Sequence, residues 1–279
     1  MSILQAIVLG LVQGATEFAP VSSSGHLILV PWLFDWTLTG GASLEKTFDV
    51  ALHVGTLLGA LVYFRSDVAR YAAAWFRSIR SRSIRQTDER IAWALVLGTI
   101  PGALAGALFE DVIQEHLGEP WLIALMLVAF GVVLVVVDRI ARSDRGFGSV
   151  RPLDGALLGV AQALALQPGV SRSGVTITAA RAIGLDRESA ARFSFLLSLP
   201  IIAGAGLYKG VDLARTGFHG LAAEFLAGTI ASALSGFAVI WWLLRYLRRH
   251  DFTVFLWYRV AVAVLVFVLI LTGVRSATA

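Results

Sequence analysis

The long apolar stretches of this chain decide what it can fold into. Segments at about 48–64, 91–109, 121–137, 193–211, 221–244 and 254–274 approach or exceed the roughly 20 residues that a helix needs to cross a bilayer. Charged residues make up only 15% of the chain and apolar residues 57%. Soluble domains average about 25% and about 45–50%, so there is too little polar surface here to clothe a water-soluble fold. The expectation is an all-α polytopic membrane protein with about six transmembrane helices. Trp32, Trp36, Trp75, Trp93, Trp121, Trp241, Trp242 and Trp257 cluster near span ends, where amphipathic rings anchor at the interface.

The net charge of +4 does not point to nucleic acid, because the basic residues sit in short loops between spans. Arg65, Arg70, Arg77, Arg80, Arg82, Arg85 and Arg90 place one loop in the cytoplasm, and Arg139, Arg142, Arg145 and Arg151 return the chain there. Arg245, Arg248 and Arg249 mark a third inside loop. The acidic run Glu110, Asp111, Glu115, His116 and Glu119 falls outside, and Lys209 and Arg215, with Asp212 between them, lie near an outside loop. The C-terminus then lies outside. Cysteine is absent, which removes disulfides, thiolate metal sites and cysteine nucleophiles. Met1-Ser2-Ile3 opens without a basic n-region, so no removable signal peptide is expected.

An internal repeat runs through the chain. Gly10-Leu-Val-Gln13 with Val21-Ser22-Ser23-Ser24-Gly25 recurs as Gly159-Val-Ala-Gln162 with Val170-Ser171-Arg172-Ser173-Gly174. The offset is 149 positions in both blocks (162 minus 13, 171 minus 22). Gly98-Thr99-Ile100 and Gly106 likewise return as Gly228-Thr229-Ile230 and Gly236. This reads as one membrane domain over 1–279 with a first half at 1–140 and a second at 150–279. Each half has three spans after a leading segment, 3–34 or 155–184, and an odd number of spans inverts the second half. Both leading segments read as re-entrant helical hairpins, interrupted at Pro20 to Gly25 and Pro168 to Gly174. Non-helical backbone at membrane depth is tolerated only where it is buried in protein or lines a cavity, so the two breaks point at a shared polar cavity.

Ionisable groups within apolar sequence are costly and by default suggest function. Glu17 and His26 bracket the first break. Gln13 and Glu17, four apart, share a helix face that offers an amide and a carboxylate to a cation or polar substrate. His26 follows Ser22, Ser23 and Ser24, and an imidazole near a hydroxyl can activate a serine nucleophile. It could equally attack phosphorus itself or protonate a leaving oxygen. In the second break, Arg172 needs an anionic partner, either phosphate oxygens suited to its planar fork or Glu17. Ser171, Ser173, Thr176 and the neighbouring glycines open a helix whose N-terminus is a natural anion site. This is no Walker A loop, for the Gly-Lys-Ser/Thr ending is missing. Asp49 and His53 read as cavity lining or the mouth of a span, Glu45 and Lys46 as a loop pair, and Arg181, Arg187 and Arg192 as inside-facing topology signals, none of them catalytic.

These motifs resemble the undecaprenyl-diphosphatases of the BacA type. That family carries a Glu/Gln-x-x-x-Glu motif, then Pro-Val-Ser-Ser-Thr/Ser-Gly-His, and later Pro-Gly-x-Ser-Arg-Ser-Gly-x-Thr. Here they stand as Gln13 to Glu17, Pro20 to His26 and Pro168 to Thr176, and the likeness extends through Lys46-Thr47-Phe48-Asp49 to Tyr258-Arg259. Gln13 stands where the family often has Glu, which leaves one fewer carboxylate for a metal. The resemblance implies hydrolysis of undecaprenyl pyrophosphate to the monophosphate carrier used in cell-wall synthesis, with bacitracin resistance. It also implies a divalent cation, Mg2+ or Ca2+, near Glu17 and Gln13. Ser23 or His26 would be nucleophile or base, and Arg172 with Ser171, Ser173 and Thr176 the phosphate clamp. The setting would be a bacterial inner membrane with the cavity facing outward. A homo-oligomer is compatible with all of this. The rival expectations are a secondary transporter or flippase for a polyprenyl phosphate, which an inverted repeat alone favours, and a scaffold without catalysis.

Overall fold

The structure, a computed structural model, describes residues 1–36, 42–218 and 220–278, with side chains 42–43, 110–116, 212 and 214–216 excepted. The expected outside charges Glu110, Asp111, Glu115, His116, Asp212 and Arg215 therefore lie outside the described side chains. The described residues form eleven α-helices and no named strand. In chain order the first six are α1 (Ile3–Phe18), α2 (Ser23–Phe34), α3 (Ala42–Tyr63), α4 (Arg65–Ser81), α5 (Thr87–His116) and α6 (Pro120–Ile140). The remaining five are α7 (Pro152–Ala163), α8 (Arg172–Ala182), α9 (Arg187–Thr216), α10 (Ala222–Tyr246) and α11 (Thr253–Leu271).

Five helices, in α5, α6, α9, α10 and α11, are long and apolar enough to cross a membrane, and the bent pair α3–α4 supplies a sixth. Five of the six expected spans are thus met by single helices, and the one at about 48–64 is met only when α3 and α4 are taken together as one bent span. What differs is the stretch after Tyr63. Arg65 to Arg90 was expected as a loop, yet Arg65–Ser81 is a helix set at 84° to α3. Its arginines belong to an amphipathic helix, with Tyr71 and Ala74 buried and Arg65, Arg70, Arg77 and Arg80 exposed.

The interior holds polar groups while much of the apolar surface faces out. Gln13, Glu17, His26, Thr176, Ser194 and Ser232 are buried, while Leu108, Ile140, Leu207, Leu234 and Leu271 are exposed. In lipid this arrangement is favourable, since tails solvate leucine as well as a core does. Helices meet through small residues. Helix α1 packs on α10, and α7 packs on α5. A Cβ on Gly10 would lie 2.3 Å from the Gly228 carbonyl oxygen, and one on Gly159 would lie 2.4 Å from that of Gly98. Each leading helix is thus fitted to the opposite half, at the glycines that the sequence repeat matches.

Arg181, Arg187 and Arg192 are more than topology signals. Arg181 is fully buried, its Nε 2.7 Å from Asp138 Oδ1 and its Nη1 donating to the Leu185 carbonyl. Arg187 shares Asp138, and Arg192 pairs with Asp67 at 2.7 Å, tying α9 to α4. A buried arginine held by a carboxylate and backbone carbonyls has its charge and its donors satisfied together.

Candidate active site

The two breaks meet. After α1 the chain turns through Ala19 to Ser22, and Ser22 takes φ 73° before α2 begins. After α7 a matching turn leads to Ser171 at φ 77°, before α8. A non-glycine residue at such φ is strained, and strain of this kind collects at functional sites. Each serine caps its helix, Ser22 Oγ accepting from Gly25 N at 3.3 Å and Ser171 Oγ from Gly174 N at 3.1 Å. Ser22 Oγ also accepts from Gly169 N at 3.0 Å, and Ser173 Oγ donates to the Ala19 carbonyl at 3.0 Å. The breaks are therefore bonded to each other in both directions. Gly169 has φ +94°, and a Cβ there would lie 2.6 Å from the Ile123 carbonyl oxygen, so only glycine fits.

Glu17 lies at the end of α1, buried, and four groups converge on its carboxylate. Oε2 accepts from Gln13 Nε2 at 2.9 Å and from Ser23 Oγ at 2.5 Å. Oε1 accepts from Arg172 Nη2 at 2.8 Å. His53 Nε2 lies 3.5 Å from Oε2, its Nδ1 donating to the Asp49 carbonyl. Glu17 is buried, whereas Ser23, His53 and Arg172 are only partly so, which puts the open side of the cluster at those three. Behind Arg172, Thr176 Oγ1 accepts from or donates to Ser194 Oγ at 2.5 Å, and Arg172 Nη1 reaches the Ser194 carbonyl at 3.5 Å. Ser171 and Ser173 hydroxyls lie 3.2 Å apart.

The motifs in this cluster run in the order that a family match requires, and a family comparison settles the assignment. The chain matches the model of the bacitracin resistance protein BacA over residues 6–265. The chain belongs to the BacA family. Curated relatives carry the name undecaprenyl-diphosphatase. That of Moorella thermoacetica is 46% identical over 266 residues, 95% of this chain and 97% of its own. That of Thermomicrobium roseum is 44% identical over 99% of this chain and all of its own, and that of Geobacter sulfurreducens 48% over 93% and 95%.

Against the BacA motifs, Gln13, Glu17, Ser23 and Arg172 stand together, and Thr176 lies behind Arg172 through Ser194. The buried Ser171 and Ser173 hydroxyls bond Gly174 N, the Ala19 carbonyl and each other rather than opening toward Arg172. His26 stands apart from them. Its Nδ1 donates to the Ser22 carbonyl at 2.7 Å, which leaves Nε2 of a neutral ring to accept from the Tyr258 hydroxyl at 2.8 Å. The two rings stack with centroids 5.6 Å apart. Both imidazole nitrogens are thus engaged, and neither on a serine hydroxyl.

Two residues at this cluster, His53 and Arg259, were named from the sequence but given no role there. His53 was set aside with Asp49, although its position on a span already marked it as costly. Arg259 lies within the last apolar run, fully buried, and ion-pairs with no carboxylate among the described residues. Its Nε donates to the Pro20 carbonyl at 2.7 Å and its Nη1 to that of Leu127 at 3.2 Å, with Val170 at 3.4 Å from Nη2. One guanidinium thus holds backbone from both breaks. An arginine in an apolar span was the available signal.

Among the described residues no three His, Cys, Asp or Glu side chains converge as a ready-made metal cage. Gln13 Oε1, however, is buried with no hydrogen-bond partner while its amide nitrogen is on Glu17. One carboxylate beside one unclaimed amide oxygen fits a hard cation that takes its other oxygens from phosphates and water.

Proposed function

We propose that this chain is an undecaprenyl-diphosphatase, which hydrolyses undecaprenyl pyrophosphate to undecaprenyl phosphate and phosphate in a bacterial plasma membrane. The product re-enters cell-wall synthesis, and the activity confers the bacitracin resistance for which the family is named. The observation that carries the reading is the meeting of Arg172 from one break with Glu17 and Ser23 from the other, in a chain whose curated relatives bear that name.

In phosphoryl transfer a protein mainly positions groups and neutralises charge on the equatorial oxygens. Arg172 exchanges Glu17 for the terminal phosphate and presents its planar fork to two oxygens. The N-termini of α2 and α8 add backbone N–H groups. Ser23 passes its proton to Glu17 as Oγ attacks the terminal phosphorus. The bond from that phosphorus to the bridging oxygen breaks, and the electron pair leaves with the prenyl monophosphate. Water then attacks the phosphorus held on Ser23. Glu17 returns its proton to Ser23 Oγ as the bond from Oγ to phosphorus breaks, and the water's proton leaves with the inorganic phosphate. His26, held by Ser22 and Tyr258, fixes the start of α2. A divalent cation, Mg2+ or Ca2+, held by Glu17 and Gln13, would offset phosphate charge. The cavity faces the outer side of the membrane, and the halves 1–140 and 150–279 are an inverted repeat. The crossed packing of α1 on α10 and α7 on α5 supports the repeat.

The test is phosphate release from a polyprenyl pyrophosphate by purified protein in detergent, with and without EDTA. Release that needs a divalent ion is expected, with a trapped phosphoserine at Ser23 on acid quench. Lipid movement without phosphate release would sink the enzyme reading. For orientation, a cysteine placed at Ser81 should label only from the cytoplasmic side.

A further inference from the structure

A cavity of about 790 Å³ lies between α3, α4, α5 and α9, lined by none of the residues of the polar cluster. Its lining is almost wholly apolar. The one hydroxyl of an aliphatic residue in the wall, Thr99, donates to the Leu95 carbonyl at 2.8 Å and is spent. Helix α4 roofs the cavity with Val68, Tyr71, Ala72, Trp75 and Phe76, a run at i, i+3, i+4, i+7 and i+8 that puts all five on one face.

Beside the Phe76 end of this roof the chain turns from α4 into α5 through Arg80, Arg82 and Arg85, all exposed. None of the three forms an ion pair among the described residues. The neighbouring carboxylates are already taken: Glu89 accepts from Arg77 and from the backbone N–H groups of Arg85 and Gln86, and Asp88 lies 3.8 Å from Arg70. Three guanidinium groups without an ion-pair partner among the described residues thus stand at and just beyond the end of the helix that roofs the groove. The wall of the groove includes the exposed Phe76, Ile100 and Leu104, and the roofing helix is set at 84° to α3.

We propose that this groove binds one anionic phospholipid of the leaflet in which α4 lies. An acyl chain fills the apolar cavity, and the phosphate lies among Arg80, Arg82 and Arg85. The charge of the mouth selects the headgroup. A zwitterionic lipid offers the same chain but adds a cation that the arginines repel. The inference does not rest on the phosphatase reading, since it uses no residue of the polar cluster.

The experiment is native mass spectrometry of the full-length protein in detergent, titrated separately with phosphatidylglycerol and phosphatidylcholine of the same chains. Wild type should retain phosphatidylglycerol about tenfold more tightly, the scale of a few partly screened lysine or arginine contacts. Arg80→Gln with Arg82→Gln and Arg85→Gln should erase that preference and leave a residual binding equal for both lipids. Ala72→Trp, which fills the groove from an exposed position, should abolish binding of both. Arg139→Gln with Arg142→Gln and Arg249→Gln removes the same charge elsewhere and should change nothing. Melting curves of the four proteins report folding independently of turnover. Equal retention of the two lipids by wild type overturns the proposal, as does an equal loss in the distant triple variant or undiminished binding in Ala72→Trp.

Discussion

The break after α1 and the break after α7 share a backbone and divide a chemistry. Both have a positive-φ serine that caps the following helix through its third residue, Ser22 on Gly25 and Ser171 on Gly174. Both follow a glutamine whose side-chain carbonyl is buried without a partner, Gln13 in one and Gln162 in the other. The ionisable groups are not shared. The first break has Glu17 and His26; the second has Arg172, and Leu166 occupies the position that repeats Glu17. Symmetry makes two facing helix N-termini, a favourable place for an anion. In the proposed mechanism, asymmetry supplies a base on one side, Glu17, and a clamp on the other, Arg172, which a symmetric site could not.

The strongest way to break this comparison is to remove the clamp. Arg172→Ala should lower phosphate release by about 10³-fold, the scale for losing a group that stabilises transition-state charge, while Arg172→Lys recovers part of it as a point charge without the fork. Undiminished turnover in Arg172→Ala would falsify the division of labour. Glu17→Gln should cost about 10²-fold, as expected for loss of a base. The pair should be non-additive in a double-mutant cycle, because the two groups touch. Chelation in the same assay should abolish wild-type release, yet change the residual rate of Glu17→Gln much less. Smaller is the effect expected of Tyr258→Phe, which removes one hydrogen bond to His26 and should slow turnover by no more than about fivefold. Smallest is the difference between the caps. Ser171→Ala should lower stability by about 1 kcal/mol, the usual scale for a cap, and Ser22→Ala by more, since Ser22 also holds Gly169 N. Thermal melting in detergent reads both, and an equal loss at the two caps would show that the Ser22 to Gly169 bridge contributes nothing.

Much of the fold was legible because lipid imposes a length on apolar helices, and α5, α6, α9, α10 and α11 meet it plainly. The breaks were legible because proline, glycine and serine interrupt those runs, and Glu17 and Arg172 because charge is rare between them. Helix α4 was obscured by its arginine density, which reads as loop even though Val68, Tyr71, Ala72, Trp75 and Phe76 keep a helical period. Arg259 was hidden for a different reason. Its partners are the carbonyls of Pro20, Leu127 and Val170, and a backbone carbonyl has no letter in a sequence. The Arg181 to Asp138 pair spans 43 residues, and composition cannot match partners at that separation.

The reach of Arg259 also sets an order of events during synthesis. The guanidinium that binds the Pro20 and Val170 carbonyls comes from α11, the final helix in chain order. Until α11 inserts, those carbonyls sit at membrane depth without a donor, and each such group costs several kcal/mol. A chain lacking α11 would keep the bonds from Gly169 N to Ser22 Oγ and from Ser173 Oγ to the Ala19 carbonyl, but would lack the one guanidinium that holds carbonyls of both breaks. The full fastening of the two breaks to each other therefore waits for α11.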